Sequence, residues 1–327
     1  MKWIYILYSI MVIGVFTSCY DEKALTPTED GEGMSRYEFP QGTNAWDKDI
    51  EEIWEKFNVY LIYKDFKHAD FNRSWTGGGL GLENDGVDLT DEQVERTTRF
   101  MKEHIFAYLN EEIVPKVLPM YWYMTYDFHS FMELDLGFMV LKYKTPMKTA
   151  YDGLDFWVVC LEGEDPSLES MTEASEKINF PVTKRDFFIR RGDILEHILL
   201  TSFDKGNIEI PANFETGFDY KTEIKKEDWE IDDENYYLTR GFPGSYNVAG
   251  ITFGFSRLEG IGDISNSKNF QNYIRLCLYY SVAELDEKYP RSKYPFLREK
   301  RDLVANYFKI TYNVDFDAIV EGPEIGE

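Results

Sequence analysis

Histidine is scarce in this chain: His68, His104, His129 and His197 are the four among 327 residues, and no two are spaced as His-x-x-x-His. Two imidazoles one helical turn apart share a face and can reach one metal ion, so that arrangement is excluded at the outset. Cysteine is scarcer still, with Cys19, Cys160 and Cys277. Cys160 and Cys277 each sit in an apolar run and read as buried thiols, while a bond between them would need facing Cβ atoms that a sequence does not show. Basic residues are in deficit, 35 against 59 acidic, for a formal charge of −24. A field of that sign repels nucleic acid and anionic lipid surfaces and argues against both as partners. The glycine run Thr76-Gly77-Gly78-Gly79-Leu80-Gly81 has no lysine or helix directly after it, so it reads as a turn rather than a phosphate loop. No nucleophile elbow surrounds Ser202 or Ser245. Carboxylates, by contrast, are so abundant that no pair of them stands out as a glycosidase dyad.

What is present begins with location. Met1-Lys2, the apolar run from Trp3 to Phe16 and the closing Thr17-Ser18-Cys19 have the layout of a secretory signal, too short to span a bilayer. The ending Phe16-Thr17-Ser18-Cys19 resembles a bacterial lipobox, which makes residues 1–18 a lipoprotein signal peptide and Cys19 the acylated residue. Two or more acyl chains anchor stably, at roughly 0.8 kcal/mol per buried methylene. The acidic residues of Tyr20-Asp21-Glu22-Lys23 resemble the tag that sends such lipoproteins to the outer face of the Gram-negative outer membrane. Residues 19–43, punctuated by Pro27, Gly31, Gly33, Pro40 and Gly42, read as a flexible linker. Residues 44–327 then form one large globular domain, with 43% hydrophobic and 17% aromatic content across the chain to build its core.

Periodicity predicts a helix from Trp46 with Ile50, Ile53, Trp54 and Phe57 on one face, then a strand over Asn58 to Phe66. Thr90 and Gln93 form a capping-box pair that opens a helix carried by Val94, Thr97, Met101, Ile105, Tyr108 and Leu109 towards Pro115. His104 lies on it beside the apolar stripe and reads as structural. The aromatic patch of Tyr121-Trp122-Tyr123 and Tyr126 to Phe131 reads as core or paired strand before it reads as a sugar platform. Leu154 to Leu161 reads as a buried strand. Further helices are predicted from Thr183 to about Asp204, weakened by Gly192, from about Asn266 to Glu287, and from Pro295 to Phe308. Helices and strands alternate without a regular βαβ repeat, so the expected class is α+β.

A resemblance runs through Asp204-Lys205-Gly206, Ile210-Pro211-Ala212-Asn213-Phe214, Asp219-Tyr220, Asp228-Trp229 and Arg240-Gly241-Phe242-Pro243-Gly244-Ser245-Tyr246. It continues in Lys300-Arg301-Asp302-Leu303-Val304 and in the tail Tyr312-Asn313-Val314-Asp315-Phe316-Asp317-Ala318-Ile319. In this order the segments resemble the zinc-binding metallopeptidase lipoproteins of gut-type Gram-negative bacteria. The resemblance implies a zincin-like fold, a helix bearing His-Glu-x-x-His, and a third ligand in a later Glu-Asp-Phe-Ala-Glu segment.

The departure is at the chemistry. Counting back from Asp204-Lys205 puts Leu195, Glu196 and Leu199 under His, Glu and His, and leucine has no lone pair to offer a metal. A second register puts Asp193, Ile194 and His197 there; Asp193 and His197 could then hold zinc with a carboxylate such as Glu259, but Ile194 cannot act as the base. Where the third-ligand segment is expected, the chain reads Ile251-Thr252-Phe253-Gly254-Phe255. The expectation is therefore a member with a degenerate site, catalytically inactive and without a required cofactor, kept for binding a glycan, a glycoprotein or a partner in a Sus-type outer-membrane uptake system. The alternatives are an active but divergent zinc peptidase and a structural accessory subunit of such a complex.

Overall fold

The computed structural model describes residues 36–73, 83–135, 137–138, 140–164, 177–225, 228–243, 245–248, 251–254 and 265–324. The chain divides into Met1–Glu38 and Phe39–Glu327, and the second unit holds every helix and strand among the described residues. Its class is mixed α+β. None of these helices is long and apolar enough to cross a membrane.

Six strands form one sheet: β1 (Tyr60–Ile62), β2 (Glu83–Val87), β3 (Tyr121–Asp135), β4 (Val140–Pro146), β5 (Thr149–Ala150) and β6 (Phe156–Cys160). The aromatic patch expected at 121–131 is the strand β3, and β3 is the hub of the sheet. Its opening residues run parallel to β1 and β6, with Tyr121 opposite both Tyr60 and Phe156. Its later residues run antiparallel to β2 and β4, with His129 opposite Asp85 and Pro146. Between the two halves Asp127 takes a left-handed φ of 51°, a conformation Asp tolerates better than most residues. Lys144 Nζ at 2.7 Å and the Glu164 amide at 3.0 Å both donate to its carboxylate and hold that kink.

Tyr121, Trp122 and Tyr123 are buried, which makes them core rather than an open stacking surface. All five residues of β6 are buried, as an unbroken apolar run predicts for a strand covered on both faces. Leu154 is instead 41% exposed and lies outside the strand. The strand expected over Asn58 to Phe66 shrinks to β1, because pairing to β3 ends at Ile62 and Asp65 turns the chain with a φ of 65°.

The helices are α1 (Ala45–Phe57), α2 (His68–Phe71), α3 (Asp91–Phe100), α4 (Lys184–Asp204), α5 (Asn266–Tyr279), α6 (Val282–Lys288), α7 (Pro295–Tyr312) and α8 (Phe316–Glu321). A separate two-stranded hairpin pairs β7 (Ser245–Val248) with β8 (Ile251–Gly254). The Thr90–Gln93 capping box opens α3 as expected. Beyond Phe100 the helix does not continue regularly towards Pro115; it loosens into a π turn, Met101–Ile105, and a 3-10 turn, Phe106–Tyr108. This loosening falls where His104 meets Arg191 of α4 at 2.8 Å. The single helix expected over 266–287 is two, since Ser281 Oγ accepts from the Glu284 amide at 3.2 Å and the Glu284 carboxylate accepts from the Ser281 amide at 2.9 Å. That reciprocal cap starts a new helix. Helix α7 outruns its expected end at Phe308 and stops at Asn313, which supplies the left-handed C-cap at φ 53°. Cys160 and Cys277 are buried free thiols.

Candidate functional site

Helix α4 carries every candidate position of the motif region. Thr183 Oγ1 accepts from the Asp186 amide at 3.1 Å and the Asp186 carboxylate accepts from the Thr183 amide at 2.9 Å, so the first turn is closed at both ends. The helix ends where Gly206 adopts φ 81° and returns its amide to the Phe203 carbonyl at 3.0 Å. Between these caps α4 is buried on more than one side, with Phe188, Arg190, Arg191, Gly192, Ile194, Leu195, Ile198, Leu199 and Ser202 all enclosed.

The first register is packed shut. Leu195 and Leu199 are each 1% exposed and belong to the main hydrophobic core. Glu196 points elsewhere, towards α5. Arg275 Nε donates to its Oε1 at 2.6 Å, and the Tyr279 hydroxyl donates to its Oε2 at 2.6 Å. Arg275 also donates to Asn272 Oδ1 at 3.0 Å, which fixes the guanidinium from behind. Burial and the adjacent Glu196 carboxylate raise the Tyr279 phenol far above its usual range, so it stays a donor. Gly192 is what lets Tyr279 in: a Cβ there would lie 2.7 Å from the tyrosine ring. The glycine that weakens the helix in isolation thus serves a close approach.

The second register leaves two polar groups on one face. Asp193 lies 3.4 Å from Arg190, and burial, only partly opposed by that guanidinium, raises its carboxyl above the ordinary range. Arg190 is itself buried and donates to the carbonyls of Lys148 and, at 2.7 Å, Cys160, tying α4 to the sheet beside β5 and β6. His197 stacks on Tyr151 with ring centroids 3.7 Å apart and meets Trp157 edge-on at 5.0 Å. Burial pulls its imidazole down to about 4, so it is neutral at pH 7. Ile194, under the catalytic base position, is fully enclosed.

Zinc fits these residues poorly. Two of the three first-register positions are leucines inside the core, and in the second Asp193 is engaged by a cation while His197 lies flat against an aromatic ring. Among the described residues no three of His, Cys, Asp and Glu are grouped to share a metal. Glu259 and the lipidation candidate Cys19 lie outside the described residues, as does the signal peptide of residues 1–18.

Arg275, Tyr279, Arg190 and Tyr151 were not among the residues anticipated from sequence. The signal was there for two of them: Arg275 interrupts the apolar run Tyr273-Ile274-Arg275-Leu276-Cys277-Leu278-Tyr279, and Arg190-Arg191 sits in the middle of a helix otherwise built for burial. A cation in such a setting needs a partner.

No family model matches the chain, and no curated protein is significantly similar to it. A crystal structure of a putative zinc-binding metallo-peptidase from Bacteroides caccae is similar in shape, with a TM-score of 0.39, 10% sequence identity, and coverage of 86% of this chain and 92% of that chain. A likeness of that size assigns neither chemistry nor ligand to the present chain.

Proposed function

We propose that this protein is a non-catalytic binding lipoprotein built on a peptidase-like plan. Its motif helix has been converted from a metal platform into a packed structural element. The observation that supports this reading is the hold on Glu196. In a metallopeptidase the glutamate of the motif must be free to take a proton from metal-bound water. Here Arg275 and Tyr279 occupy both of its oxygens, while Leu195 and Leu199 serve the core. Arg275 thus supplies the positive charge that Glu196 faces.

The same reading places Cys19 under a lipid anchor on the outer membrane, facing outwards. It assigns the domain to recognition of a glycan, a glycoprotein or a protein of a Sus-type uptake system. The strongly acidic composition favours neutral or cationic ligands over anionic polymers.

The test is elemental analysis of the purified protein together with a peptide-hydrolysis assay. Zinc well below one equivalent and no cleavage are expected. Stoichiometric zinc with cleavage abolished by Glu196→Gln would overturn the proposal. Metabolic labelling with palmitate checks the anchor, with label expected on the wild type and lost in Cys19→Ser.

A further inference from the structure

A cavity of about 310 Å³ opens on the other flank of α4, between the start of that helix, α3 and the π turn, and its walls include Arg96, Arg99, Phe100, His104, Phe180 and Phe187. Its volume is at the lower end of the range for small-molecule sites. Three of its rings lie nearly parallel: His104 stacks on Phe187 at 4.6 Å and on Phe100 at 5.1 Å. Phe180 closes one side, edge-on to Phe187, with the Arg96 guanidinium 4.8 Å above its ring.

The polar chemistry follows from Arg191. Its side chain is 2% exposed, and its nitrogens donate to neutral acceptors: the Ile319 carbonyl at 2.7 Å, the Val320 carbonyl at 3.2 Å and His104 Nδ1 at 2.8 Å. Among the described residues no carboxylate lies within ion-pair distance of it, although the exposed Glu321 acts on it at longer range. A buried cation in that state is costly, and its field is little screened.

Arginine can only donate, so His104 Nδ1 is the acceptor and the ring proton sits on Nε2. Burial beside Arg191 lowers the His104 imidazole to about 4 and keeps it in that neutral form. His104 is 5% exposed and walls the cavity, yet Nε2–H has no partner among the described residues. That ring N–H is thus open to an acceptor placed in the cavity, and the buried charge behind it feels the exposed Glu321 carboxylate only at longer range.

Arg99 adds a free cation. It is exposed at the rim and makes no ion pair among the described residues, whereas Arg96 is committed to Glu162. Glu103 and Glu324 also line the cavity, but both are exposed and so screened by solvent and salt, unlike Arg191.

We propose that this cavity binds a small carboxylate carrying a flat apolar group, with the carboxylate accepting from His104 Nε2–H and from Arg99 and the apolar group lying against Phe180 and Phe187. This site is independent of the reading of residues 193–199.

The test is calorimetric titration of the full protein with phenylacetate, with phenylacetamide as the neutral isostere and inorganic phosphate as the anion without a ring. Saturable one-to-one binding of phenylacetate is expected. It should be at least tenfold weaker for phenylacetamide, for phosphate, and for phenylacetate against Arg99→Gln. Arg99 is exposed, so that variant keeps the fold. A shift of the His104 Nε2 nitrogen resonance on titration is the second expected readout. Absence of saturable phenylacetate binding, equal binding of the amide or of phosphate, or an unmoved His104 signal would each overturn the proposal.

Discussion

Arg275 Nε and Glu196 Oε1 lie 2.6 Å apart across the α4–α5 interface, and both side chains are largely withdrawn from solvent. The pair joins two helices at the position that the first register gives to the motif glutamate. It ties Glu196 into the helix packing, so the loss of either partner is to be read in stability.

Arg275→Met leaves the largely buried Glu196 carboxylate with Tyr279 as its remaining side-chain donor. A loss of about 1–3 kcal/mol is expected, as for a charged hydrogen bond broken from one side. Adding Glu196→Gln should recover part of it, since the stranded charge is then gone. Urea denaturation of both single variants and the double variant reads the coupling; strictly additive losses would show that the pair is not an interacting unit.

Restoring the motif by Leu195→His with Leu199→His should not restore a metal site. Both positions face the core, so each change swaps a packed leucine for a polar ring with no partner, at about 2–5 kcal/mol apiece. The expected outcome is an unfolded or strongly destabilised protein without bound zinc. A folded double variant holding one zinc would show that the helix turns these positions towards a cleft.

Gly192→Ala sets two effects of opposite sign against each other. Helix propensity gains about 1 kcal/mol. The new Cβ, 2.7 Å from the Tyr279 ring, costs about 1–3 kcal/mol by overpacking and pushes the tyrosine off Glu196. Net destabilisation is expected in thermal or urea unfolding; a stabilised variant would show that Tyr279 yields freely.

His197 and His104 both fall from the ordinary 6.5 to about 4 on folding. The folded form prefers the neutral ring, so the stability each contributes is fully present above pH 6.5 and is lost as the pH drops through 4. About 1–2 kcal/mol per histidine is expected over that window after allowing for partial solvation. His197→Phe keeps the stack on Tyr151 and should flatten the acid limb of a stability-against-pH curve. An unchanged limb would mean that His197 titrates normally.

Much of the architecture could be read from local signals. The capping pair of Thr90 with Gln93 and the opening Thr183 mark where two helices begin, and the apolar run around Trp157 marks a strand buried on both faces. The misses were places where a tertiary or reciprocal local contact decides. Ser281 and Glu284 cap each other and split a stretch whose periodicity reads as continuous, and His104 sits where the helix loosens towards Arg191. At the site, sequence spacing could put Glu196 next to leucines but not beside Arg275, which is 79 residues away along the chain and meets it only because α4 and α5 pack together.

The two-way pairing of β3 bears on how the molecule comes apart. Strands from four separate stretches of chain, β1, β2, β4 and β6, all hydrogen-bond to this one segment, so both halves of the sheet depend on β3 staying in place. Amide exchange along Tyr121–Tyr123, which is paired on both sides, should therefore require global opening rather than local fraying. Assembly must likewise wait for partners more than 60 positions apart, Tyr60 and Tyr121, to find one another, which sets a slow, topology-limited step at the centre of folding.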